Sequence, residues 1–146
     1  MKTILSLILV LICSPAIADN YLVINAGAHH WNRDQVHSQD LNERNFGIGF
    51  EHGDADRILA IGYYRNSLDR ISTYAIYGWT PLHAGPFKAG AIVGYVSGYP
   101  VAPIVPAVGL VIAAQYQKVG VNVLMVPSVD SLHVAGFAGF QLKYKF

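Results

Sequence analysis

His29 and His30 lie in "GAHHW", and Ser67 lies in "YYRNSLDR" (Tyr63 to Arg70), a polar interruption between the apolar runs "ILAIG" and "ISTYAIYGW". A serine hydroxyl and an imidazole have the chemistry of acyl transfer: the ring takes the hydroxyl proton while the oxygen attacks an ester carbonyl. The plain alternative is a turn serine and two histidines at the end of a strand. Asn66 sits beside Ser67, and Arg33, Arg44, Arg65 and Arg70 supply guanidinium groups in nearby polar segments. A guanidinium recognises phosphate with a two-pronged fork, and it also snorkels at a membrane rim without binding anything. His37, His52, His83 and His133 have no metal-ligand spacing. Asp54 and Asp56 read as a turn, and no metal or other cofactor is expected. The elements that carry these residues decide which reading applies.

The chain has 146 residues, enough for one domain. It opens "MKTILSLILVLICSPAIADN", with Lys2 as a positive start, Ile4 to Ile12 as an apolar core and Ala16-Ile17-Ala18 as small residues at a cleavage site. This predicts a secretory signal peptide over 1–18, cut before Asp19, and a mature domain over 19–146. The apolar run is well short of the ~20 residues a spanning helix needs. Cys13 is the sole cysteine and departs with the signal, which excludes thiol nucleophiles and Cys-based metal sites from the mature domain. Charged residues make up 13% and hydrophobic ones 53%, against about 25% charged in a typical soluble domain. No basic block suggests nucleic acid. An exported, charge-poor chain without a spanning helix has one membrane option left, a closed β-barrel.

Period-two alternation dominates the mature chain. "NFGIGFE" places Phe46, Ile48 and Phe50 opposite Asn45, Gly47, Gly49 and Glu51, and "FQLKYKF" places Phe140, Leu142, Tyr144 and Phe146 opposite Gln141, Lys143 and Lys145. Eight strands are predicted, at about 20–31, 45–53, 57–65, 70–80, 87–98, 104–115, 119–126 and 132–146. Short connections at 53–56, 81–86 and 116–118 alternate with more polar, proline-bearing ones at 32–44, 66–69, 99–103 and 127–131. This is the pattern of an all-β, eight-stranded antiparallel up-and-down transmembrane barrel with short periplasmic turns and longer external loops. Tyr77, Trp79, Phe87, Phe50, Tyr144 and Phe146 would form an aromatic girdle near the periplasmic rim, with Tyr21, Trp31, Tyr63 and Tyr99 near either rim. Inward positions near mid-strand are mostly small or aliphatic: Ala60, Gly62, Ile92, Gly94, Gly109, Val111, Gly120 and Leu124. Such an interior either holds a hydrocarbon chain or packs on itself with no cavity.

The chain resembles the outer-membrane lipid A palmitoyltransferases from about Leu22 to Phe146. The resemblance rests on "LNERNFGIGF", "YYRNSLDR" followed by "YAIYGW", "YPVAPIVPAVG", "MVP" and the terminal aromatic strand. Similar short barrels with an Asn-Glu-Arg-Asn stretch occur in bacteriophage genomes, and this chain looks closer to that compact branch. The resemblance implies a barrel whose interior takes a phospholipid acyl chain, with a His, an Asp and a Ser at the external rim. It matches His30 to the histidine and Ser67 to the serine, and puts Asn66 where the family has Asp. It also matches Pro103, Pro106 and Pro127 to prolines flanking lateral openings, where a residue without an N–H suits a gap in strand pairing. The amphipathic helix before the first strand is absent, and the first external loop looks shorter. Asn66 brings no carboxylate to the histidine, a loss that can cost about 10⁴ in a serine-protease triad. Strand alternation disagrees with the match, since it groups His29 with the inward residues Asn25 and Gly27. Arg44, Arg65, Arg70 and Tyr64 are candidates for contact with substrate, and Glu43 for a loop salt bridge.

Three readings follow. The first is an outer-membrane lipid acyltransferase or acyl hydrolase acting on phospholipid and lipopolysaccharide, working as a monomer without cofactors or nucleic acid. The second is a non-enzymatic, surface-modifying barrel of the kind a phage could encode. The third is a soluble lipophile-binding barrel.

Overall fold

The computed structural model describes residues 18–31, 40–100, 102–129 and 135–146. The signal segment, Arg33, His37 and His133 lie outside the described residues. Eight strands, β1 (Asp19–His30), β2 (Gly47–Gly53), β3 (Arg57–Arg65), β4 (Ile71–Ala84), β5 (Phe87–Tyr99), β6 (Ala102–Tyr116), β7 (Val119–Val126) and β8 (Phe137–Lys145), pair in sequence order and close through β8 and β1. Every pairing is antiparallel. The fold is the eight-stranded up-and-down barrel that the alternation predicts. Closure pairs every strand on both sides over most of its length, which suits a small domain without disulfides.

The two ends of the barrel differ. At the turn end the connections are 54–56, 85–86 and 117–118. At the loop end they are 31–46, 66–70, 100–101 and 127–136. The connection predicted at 81–86 is shorter in the structure because β4 runs through Pro81 to Ala84. It does so by a bulge: Trp79 pairs with Ala91 and Leu82 with Ala89, so Thr80 and Pro81 oppose Gly90 alone. The extra residue takes the missing N–H of Pro81 out of the ladder. A Cβ on Gly90 would collide with the Trp79 carbonyl and the Thr80 Cα. Gly90→Ala is therefore expected to cost about 1–3 kcal/mol of stability, read as a lower urea midpoint; an unchanged midpoint would show that the bulge yields freely. The loop predicted at 99–103 is also shorter, with only 100–101 between β5 and β6.

At the first turn, the Asp54 carboxylate accepts hydrogen bonds from the backbone N–H groups of Asp56 (3.0 Å) and Arg57 (2.8 Å) and from Arg57 Nε (2.8 Å). Burial disfavours its charged form, but these bonds outweigh that effect and hold Asp54 below the usual carboxylate range.

The outer face is apolar. Leu59, Ile61, Val93, Val108, Leu110 and Leu142 all point outward and are exposed, and Tyr77, Trp79, Phe87, Tyr144 and Phe146 gather on the turn-end half. Tyr21 is a correction to the predicted girdle: it faces inward, where its ring lies 4.6 Å from Lys143 Nζ.

The interior is divided by side. The β3–β6 wall is apolar, with Ile58, Ala60, Tyr74, Ile92 and Val111 in one cluster against Tyr64, Ile76, Val96 and Leu124. The wall of β7, β8, β1 and β2 is polar, so the mostly small and aliphatic interior read from sequence holds for one side only. Lys143 Nζ donates to Glu51 Oε1 at 2.6 Å, and Asn122 Nδ2 donates to Glu51 Oε2 at 2.7 Å and to Gln141 Oε1 at 3.2 Å. Gln141 Nε2 in turn donates to Asn25 Oδ1 at 2.8 Å. Buried charges persist only when paired and hydrogen-bonded, and this network does both.

Candidate active site

Above the polar network the barrel opens into a pocket at the loop end. It encloses about 680 Å³ of space between protein atoms, its open mouth included. Ile76, Ile92, Val96 and Leu124 form its walls, and Asn25, Tyr74 and Gln141 lie at its inner end. His30, Asn45, Ser67 and Tyr99 stand toward the mouth, and Tyr64 lines it too, its hydroxyl 3.4 Å from that of Tyr99.

The structure separates His29 from His30. Along β8, Asn25 pairs with Gln141 and Gly27 with Phe140, so β1 carries one extra residue between them. That bulge reverses the alternation beyond it. His30 consequently turns inward, with its residue only 4% exposed, and its ring lies 5.7 Å from that of Phe137. His29, on the opposite face, has a side chain 71% exposed.

The carboxylate near the histidine comes from Glu43. Glu43 Oε1 lies 3.8 Å from His30 Nδ1 and 3.5 Å from His29 Nδ1, and it accepts the His30 backbone N–H at 3.1 Å. The Glu43 carbonyl also accepts the Ala28 N–H at 3.0 Å, which pins this segment along β1. The adjoining Asn42 donates its N–H to the Ser67 carbonyl at 2.8 Å and its Nδ2 to the Asn66 carbonyl at 3.2 Å. Residues 42 and 43 thus tie the serine loop to the histidine strand. The sequence shows Glu43 only as a salt-bridge candidate; its approach to His30 depends on the irregular segment before β2.

Asn66 is fully buried and its side chain is engaged on all sides. Its Oδ1 accepts the N–H groups of Leu68 (2.9 Å) and Arg70 (3.0 Å), and its Nδ2 donates to Ser72 Oγ (2.9 Å) and the Gly98 carbonyl (3.2 Å). It shapes the 66–70 loop and anchors it to β4 and β5. An aspartate here would lose both donated bonds and face a carbonyl oxygen. Asn66→Asp is expected to lose about 1–3 kcal/mol of stability without gaining acyl transfer. Urea midpoints and lipid mass spectra check this together; a variant of wild-type stability with new acyl transfer would put residue 66 back beside the histidine.

Arg44, Arg65 and Arg70 are exposed at the loop end outside the pocket lining, and Arg65 Nε pairs with Asp69 Oδ1 at 2.9 Å. The prolines mark a break in the wall. The β6–β7 ladder stops at Leu110 and Met125, so among the described residues 102–109 of β6 pair with β5 alone. Pro103 and Pro106 lie in that stretch, and Pro127 follows the last residue of β7. Ala107 and Val126, which flank the break, both line the pocket. Among the described residues no three His, Cys, Asp or Glu side chains gather where a metal ion could bind.

Fold and site together define a closed antiparallel barrel with a one-ended pocket lined by a serine and a histidine, the histidine having a carboxylate close by. No family model matches the chain, and no curated protein sequence matches it.

Proposed function

We propose that the chain is an outer-membrane barrel that transfers or hydrolyses a phospholipid acyl chain at its loop-end rim. The observation that carries this reading is the shared pocket: His30 and Ser67 stand toward the mouth of an apolar shaft that opens at one end. The exposed apolar belt and the aromatic side chains on its turn-end half support insertion into a bilayer, with the loop end facing outward. A soluble barrel would not present so large an apolar surface.

In this reading the acyl chain lies in the shaft and its ester carbonyl sits at the mouth. Ser67 Oγ bonds to the carbonyl carbon as His30 takes the hydroxyl proton, and Glu43 stabilises the resulting imidazolium. The ester C–O bond breaks, and His30 returns the proton to the departing glycerol oxygen. The acyl group then passes to a lipid A hydroxyl or to water by the reverse steps. Exposed arginines 44, 65 and 70 suit phosphates of the donor or acceptor headgroup. The stretch of β6 that lacks a β7 partner beside the pocket, with its prolines, suits sideways passage of a chain between bilayer and shaft.

The test is expression in a Gram-negative host, followed by envelope fractionation, heat-modifiability gels and mass spectrometry of lipid A and phospholipids. An outer-membrane, heat-modifiable protein with a new acylated lipid A or accumulated lysophospholipid is expected. Recovery wholly in the periplasm would end the membrane reading, and unchanged lipids would end the enzymatic one.

A further inference from the structure

The floor of the pocket is polar, and its polarity has a direction. Asn25 is 8% exposed and Tyr74 is 4% exposed, and both line the pocket. Among the described residues, Asn25 Nδ2 and Tyr74 Oη make no hydrogen bond of normal geometry; the amides of Asn25 and Gln141 approach the Tyr74 hydroxyl without reaching it. A buried donor without an acceptor is costly, so two at the inner end of one cavity call for an explanation.

The network beneath fixes which atoms face upward. Glu51 is paired with Lys143 and, as a carboxylate, only accepts. Asn122 must therefore turn its Nδ2 toward Glu51, and that same Nδ2 donates to Gln141 Oε1. Gln141 is left to donate through Nε2 to Asn25 Oδ1. With its oxygen occupied, Asn25 presents Nδ2 to the pocket. The charge on Glu51 thus sets the orientation of three amides in turn and places a donor on the floor, beside the Tyr74 hydroxyl. The amide orientations follow from this chain of partners.

We infer that the pocket selects an apolar chain carrying an oxygen acceptor, a hydroxyl, carbonyl or ether, at its buried end. This rests on the reading of the pocket as an acyl-chain site and names the chain. A methyl-ended chain would cover both donors and satisfy neither. The length follows from β1. Asn25 to His30 is four ladder steps plus the bulge residue, about 13–16 Å along the strand and about 10–12 Å along the axis at the usual tilt. Extended chains advance about 1.2 Å per bond, so the shaft takes roughly eight to ten carbons. An oxygen at that depth comes either from a chain oxygenated at its far end or from an alcohol entering head first.

Calorimetry on the full barrel in nanodiscs, with decanoate, 10-hydroxydecanoate and 1-decanol as probes, tests this. 10-Hydroxydecanoate is expected to bind about tenfold more tightly than decanoate, the usual worth of one hydrogen bond to a buried group. The preference should fall below about twofold in Tyr74→Phe and in Asn25→Leu, each checked for folding by heat-modifiability. If 1-decanol matches 10-hydroxydecanoate, the oxygen enters head first; if it binds more weakly, the chain is oxygenated at its far end and held at the rim as well. Equal or tighter binding of decanoate by the wild type would overturn the inference while leaving an acyl-chain pocket in place, as would a hydroxyl preference that survives both substitutions. If no probe binds, the acyl-chain reading fails and the inference fails with it.

Discussion

Lys143→Met is expected to lower the stability of the barrel by about 3–5 kcal/mol, because it leaves the Glu51 carboxylate charged and buried without its cation. The two side chains are only 2% and 1% exposed, so water cannot replace the partner. Glu51→Leu alone should cost a similar amount, since it strands the ammonium group and removes the acceptor of Asn122. The double variant should recover most of the loss, because a well-packed apolar pair is often no less stable than the ion pair it replaces. Urea unfolding followed by tryptophan fluorescence, with heat-modifiability as a check on closure, measures all three. Single variants within about 0.5 kcal/mol of wild type would show that the interior admits enough water to solvate either charge.

The second large effect concerns chemistry. Ser67→Ala and His30→Asn are each expected to cut acyl transfer or hydrolysis by at least about 10³, and the double variant should be no worse than either single one, because nucleophile and base act as a unit. Glu43→Gln should lose about 10²–10⁴ by the same logic, since the carboxylate steadies the imidazolium. His29→Asn should lose far less than His30→Asn, because the His29 ring points out of the barrel. Mass spectrometry of lipids from cells carrying each variant at matched barrel levels reads these outcomes. Wild-type product from Ser67→Ala would remove the serine from the reaction.

The strands were legible because alternation is a local signal: Phe46, Ile48 and Phe50 against Asn45, Gly47 and Gly49 reads the same in the sequence and in the sheet. The details that shape the site were not. Whether His29 or His30 faces the pocket turns on one extra residue between Asn25 and Gly27, and nothing in the spacing distinguishes a bulge from regular strand. The inward direction of Glu51, Asn122, Gln141 and Lys143 follows from alternation, but their meeting depends on the stagger between strands, which is set only when the barrel closes. Asn66 stands where the resemblance has Asp, yet its amide holds its own loop to β4 and β5. Its partners Ser72 and Gly98 are brought to it by pairing across β4 and β5, which no local pattern records.

Glu51 and Lys143 are 92 residues apart, and they stand on β2 and β8, the two strands that flank β1 at the closing seam. The pair cannot form until the last strand has docked on the first. Interactions that appear after the folding transition state leave the folding rate alone and slow unfolding. Stranding one partner, at about 4 kcal/mol, would then shorten the lifetime of the closed barrel roughly a thousandfold. The buried ion pair is a clasp on the seam of the cylinder, and its contribution is to how long the barrel stays shut.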